Sequence, residues 1–76
     1  MFFPKKAIVD RIKKQYPAGT RVELVSMEDP YRTDMIPGLK GTVTGVDDTA
    51  TIHVHWDNGC SLGVVYGEDS CRKIDE

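Results

Sequence analysis

The chain has 76 residues and a mass of 8.5 kDa, too few to bury two separate hydrophobic cores, so a multidomain enzyme is excluded. With 39% hydrophobic and 29% charged residues and no apolar run near the roughly 18 residues a membrane span needs, the composition is that of a soluble globular protein. Ten Lys and Arg against twelve Asp and Glu leave a net charge of −2, so no global positive field draws the chain to nucleic acid.

The amino-terminal stretch MFFPKKAIVD is apolar for three residues before Pro4 and Lys5. It lacks the apolar run of a secretory signal, which predicts a cytoplasmic protein. Residues 4–15 read as a helix, with Pro4 near the first turn and Ile8, Val9, Ile12 and Tyr16 recurring on one side. Lys5, Lys6, Arg11, Lys13 and Lys14 populate the rest of its surface, and Pro17 stops it. Residues 1–24 hold six bases and two acids, a local sum of +4 against −6 for the remainder. Either an acidic partner or the chain's own acidic body can receive this basic helix.

From Thr20 to Met27 the pattern alternates, Val22 and Leu24 on one face and Arg21 and Glu23 on the other, which predicts a half-buried strand. Residues 28–38 (EDPYRTDMIPG) carry two prolines and no sustained period and read as a long loop. KGTVTGV, 40–46, predicts a second strand, with Gly41 and Gly45 flanking Val43 on one face. Asp47, Asp48 and Thr49 supply a turn. TIHVHWD, 51–57, predicts a third strand with Ile52, Val54 and Trp56 inward and His53 and His55 outward. Asp57, Asn58 and Gly59 signal a hairpin. SLGVVY, 61–66, is the fourth strand, with Leu62 and Val64 inward. After a turn at 67–70, CRKI is a fifth that would add Ile74 to the core. Five short strands with one long first loop predict a mainly β fold, a small five-stranded SH3-like barrel over 20–75 with one short helix over 4–16, in a single domain 1–76.

These segments carry a family resemblance in YPAGTRVELV at 16–25, MEDP at 27–30, PGLKGTV at 37–43, GVDD at 45–48 and VHWDNGCSLGVVYGEDSCRKI at 54–74. Together with the leading helix, they make the chain resemble domain-of-unknown-function family 4314, small bacterial proteins found mostly in Firmicutes and often on phages and integrative elements. The resemblance implies an SH3-like fold and a mobile-element or host-interaction setting. It implies no activity.

The chemistry-bearing residues are few. His53 and His55 share a strand face and could hold zinc with Cys60 and Cys71, but ten residues separate the cysteines and the paired C-x2-C spacing of structural zinc is missing. Free thiols, no metal and no cofactor are expected. Cys60 near His53 or His55 is the best available nucleophile pair, yet it has no catalytic signature around it, and the chain reads as no enzyme. Asp47, Asp48 and Asp57 fall in turns, where Asp bonds to nearby backbone. Trp56 is in phase with the core, while its place at a strand end also suits a platform at the barrel mouth. Tyr31 beside Arg32 in the long loop, Lys40, and Tyr66 at the end of the fourth strand complete the candidate ligand-binding set with His53, His55 and Trp56.

Three functions follow from this set. The leading one is a non-enzymatic binding or adaptor module that recognises a protein partner through loop 28–38 and the outer barrel face. A second is an oligomer that sequesters a small anionic ligand such as a nucleotide signal, served by Arg21, Arg32, Lys40, Arg72 and Lys73. Small size without disulfides makes a homo-oligomer worth testing. The third is nucleic-acid binding through Lys5, Lys6, Lys13 and Lys14. A membrane partner is not expected.

Overall fold

The structure, a computed structural model, describes residues 5–27 and 35–75. Helix α1 spans Lys6–Gln15 and buries Val9 and Ile12, with Ile8 and Tyr16 half-buried against the core. Lys13 and Lys14 occupy its last turn, where positive charge complements the carbonyl end of the helix. The Tyr16 N–H donates to the Ile12 carbonyl at 2.9 Å, and Pro17, with no N–H to offer, ends the helix.

Five strands follow: β1 Arg21–Ser26, β2 Lys40–Val46, β3 Ile52–Trp56, β4 Ser61–Val64 and β5 Ser70–Lys73. They form one antiparallel sheet in the order β4-β3-β2-β1-β5. The arrangement is the SH3-like one that the strand count predicts, with the sheet left unclosed, so that β4 and β5 are edges. Pro37 and Gly38 make the turn into β2. The Leu39 N–H donates to the Ile36 carbonyl at 3.1 Å, and Gly38 has a φ of 96°, the left-handed conformation that a type II turn requires at its third residue.

The core joins both expected strand faces. Trp56, Leu24, Val22, Val43 and Val54 are fully buried, with Ile52 and Val64 close behind. Leu62 is half-buried against them. Met35 is also core, at 6% exposure, although it lies in a segment without period. No helix among the described residues is long and apolar enough to cross a membrane.

Three details differ from the sequence expectation. Gly45 does not share a face with Val43, because a bulge at Thr44 pairs Val43 with Val54 but Gly45 with His53, and one extra residue reverses the side-chain phase. β4 stops at Val64 rather than at residue 66, since the Val65 carbonyl accepts the N–H groups of Glu68 and Asp69 and turns the chain away. Ile74 is not a core residue. The pairing Leu24↔Cys71 points Cys71 inward instead, and Ile74 contributes its N–H to the Arg21 carbonyl at 3.0 Å.

Candidate functional site

The outer face of the sheet is polar, as its alternation predicts, and its side chains bond to one another. At the β2–β3 turn Asp47 Oδ1 accepts the Thr49 hydroxyl at 2.6 Å, the Thr49 N–H at 2.9 Å and the Thr51 N–H at 3.1 Å. Its Oδ2 accepts His53 Nε2–H at 2.8 Å, and an acceptor there places the proton of a neutral imidazole on Nε2. The Thr49 hydroxyl first, then His53 and the two amides, hold the Asp47 carboxyl well below the usual carboxylate range. His55 Nδ1 shares a hydrogen bond with Ser61 Oγ at 3.2 Å. Thr44, His55 and Ser61 border a recess of about 150 Å³.

Four cations, Lys13, Arg21, Arg72 and Lys73, meet carboxylates or rings of the same chain. Arg21 grips Asp57 with two parallel bonds of 2.9 and 2.7 Å and reaches Thr42 Oγ1 at 3.0 Å. This fork lowers the Asp57 carboxyl, with smaller help from the charges of His55 and Lys40. Arg72 bonds Glu23 through Nε at 2.6 Å. Lys73 Nζ lies 5.9 Å from the centre of the Tyr16 ring, a cation–π distance. On the helix, Lys13 Nζ donates to Asp48 at 2.9 Å, which raises the Lys13 pKa and ties α1 to the β2–β3 turn. Lys5, Lys6 and Lys14 are exposed. Tyr31 and Arg32 lie outside the described residues.

Trp56 requires a correction as a ligand contact. It has no exposed surface, and its Nε1–H donates to the Leu62 carbonyl at 3.0 Å, so the indole faces the core with its polar group satisfied. Cys60, in the turn between β3 and β4, and Cys71, on β5, are not joined by a disulfide. No group of three or more His, Cys, Asp or Glu among the described residues is placed to hold a metal ion.

Among the described residues of the expected set, Tyr66 alone borders a cleft with an apolar floor. This cleft, of about 420 Å³, opens between the second half of α1 and the turn that joins β4 to β5. Its floor is Ile12, Ala50, Ile52 and Val64, and its walls carry Tyr16 and Tyr66. Arg11, Gln15, Asp69 and Ser70 supply polar groups, and Cys71 lies beside Tyr16. Burial pushes the Cys71 thiol up to about 11, so at neutral pH it is protonated and a poor nucleophile. Burial likewise raises Tyr16. Asp69 Oδ2 accepts the Val65 N–H at 3.1 Å and pins the turn that forms one wall. The sequence reading missed this site, apart from Tyr66, because it is assembled from four separate segments. The one local signal was Tyr16, a ring with a polar tip closing an otherwise aliphatic stripe.

A family model described as Domain of unknown function (DUF4314) matches residues 5–74. No curated protein matches the chain.

Proposed function

The chain belongs to the DUF4314 family, a membership that carries no assigned activity, and from its own geometry we propose a non-enzymatic module that binds a protein partner. The observation that carries the reading is the cleft between α1 and the β4–β5 turn. An apolar floor, two tyrosines and a few polar groups at the rim match the usual make-up of a recognition pocket. A volume of about 420 Å³ suits one or two bulky side chains of a partner. The titratable groups there favour binding over chemistry, since Cys71 is protonated by burial and Asp69 is engaged with its own turn.

Tyr31 and Arg32 stay within this proposal on the sequence argument alone, as does a cytoplasmic, phage or mobile-element setting. The outer face contributes less than the sequence suggested, because His53 and His55 already bond to Asp47 and Ser61. The small-anion alternative loses support for a related reason: Arg21 and Arg72 are engaged by Asp57 and Glu23 on the chain's own surface and do not converge on the cleft.

Selection of peptides from a random display library against the whole chain tests the reading. Binders sharing a bulky apolar residue, with amide shifts concentrated at Ile12, Val64, Tyr66 and Cys71, are the expected result. Tyr66→Ala and the rim variant Gln15→Ala should weaken them, the former about tenfold. Shifts confined to other surfaces, or affinities indifferent to both variants, would overturn it.

A further inference from the structure

We propose that the solvent face of α1 docks on the phosphodiester backbone of nucleic acid, without reading its sequence. The argument begins with how the helix spends its side chains. Val9 and Ile12 are buried, and Ile8 and Tyr16 pack against the core, so the apolar stripe is consumed inside the chain. Lys13 is committed to Asp48. Lys5, Lys6, Arg11 and Lys14 remain exposed, and Asp10 is the single acid between Lys5 and Gln15.

Three kinds of polyanion could meet such a face, and the geometry separates them. Stable attachment to an anionic lipid surface needs an apolar helix face to enter the headgroup boundary, and here that face is already buried. An acidic protein surface would need an aromatic or aliphatic anchor at the centre of the contact, whereas the exposed helix residues, Lys6, Ala7, Asp10, Arg11, Lys13, Lys14 and Gln15, include no large apolar side chain. Phosphates ask for flexible cations alone, and release of their counterions supplies the driving force. The net charge of −2 does not forbid this. At about 0.1 M salt charges more than about 10 Å apart are largely screened, so acids on the far side of a molecule 31 by 29 Å in its two longer dimensions count for little, and the acids this face must outweigh are Asp10 and Asp48, which border one recess with Lys6 and Lys13.

The test measures fluorescence anisotropy of a labelled DNA duplex of arbitrary sequence, and of an RNA duplex, with the full chain. With three or four phosphates neutralised, affinity should fall roughly 40- to 150-fold between about 50 and about 200 mM salt. Neutralising Lys5, Lys6 and Lys14 to Gln spares both the Lys13–Asp48 pair and the cleft, and should cost about tenfold or more at the lower salt. The corresponding Lys→Arg variant should bind as wild type. A preference between DNA and RNA identifies the source of the phosphates. Absence of binding at low salt, binding indifferent to the three Gln substitutions, or equal binding to polyglutamate or phosphatidylserine vesicles would overturn the proposal.

Discussion

Gly41 shows how far a single hydrogen atom constrains this fold. A methyl group there would lie 2.6 Å from Val54 Cγ1, 2.8 Å from Trp56 Cε3 and 3.0 Å from the His55 carbonyl oxygen. Gly41→Ala therefore forces the core apart and should cost about 1–3 kcal/mol. Gly45, four residues on in the same strand, has nothing within 4 Å of that position, so Gly45→Ala should be neutral or slightly stabilising. Urea midpoints for the pair decide the matter, and the reverse order would contradict the packing. Trp56, the single tryptophan, should resist acrylamide quenching in the native state and lose that protection on unfolding. Asp47 makes a pH prediction with a definite sign. Its carboxyl is held below the ordinary 3.8, so the folded state binds its proton less tightly than the unfolded chain. The resulting stability is complete above that ordinary value and is lost as the pH falls through the lower folded one. Because the side chain is 42% exposed, solvent screening limits the effect at neutral pH to about 1 kcal/mol. Asp47→Asn should lower the melting temperature at pH 7 and flatten its fall in acid.

The elements depend on one another unequally. A helix of ten residues is marginal alone in water, so α1 is held by Val9 and Ile12 on the sheet end. Ile12→Ala should destabilise the protein by about 2–4 kcal/mol and reduce the helical circular dichroism. Lys14→Ala, which removes only solvated charge, should leave both unchanged. Equal effects of the two would mean that the helix is not held by its buried stripe. The stripe and the alternation of β3 were legible because each is a local period: residues 52–56 follow the buried-exposed pattern without exception. The phase change at Thr44 was not legible, since a bulge depends on which residues of the neighbouring strand face it.

For the molecule as a whole, the open strand order sets the distribution of stability. β1, β2 and β3 are paired on both sides, whereas β4 and β5 each have one neighbour. Hydrogen exchange should accordingly be slowest at Val22, Leu24, Val43 and Val54 and faster along β5. Uniform protection across the five strands would indicate that β4 and β5 are covered in solution, by each other or by a second chain.

Strand faces, turn positions and the resemblance to one family came from the residues alone, because side-chain period and turn chemistry act between near neighbours along the chain. Tertiary structure decided what joins distant positions. Lys13 meets Asp48, Arg21 meets Asp57 and Arg72 meets Glu23 across 35, 36 and 49 positions respectively, and these bonds engage cations that the sequence leaves open to a ligand. The cleft arises in the same way, from segments near residues 12, 51, 65 and 70, and Cys71 rather than Ile74 turns inward because β5 pairs with β1 in one register. Packing between segments far apart in sequence obeys shape and register, which no local pattern encodes.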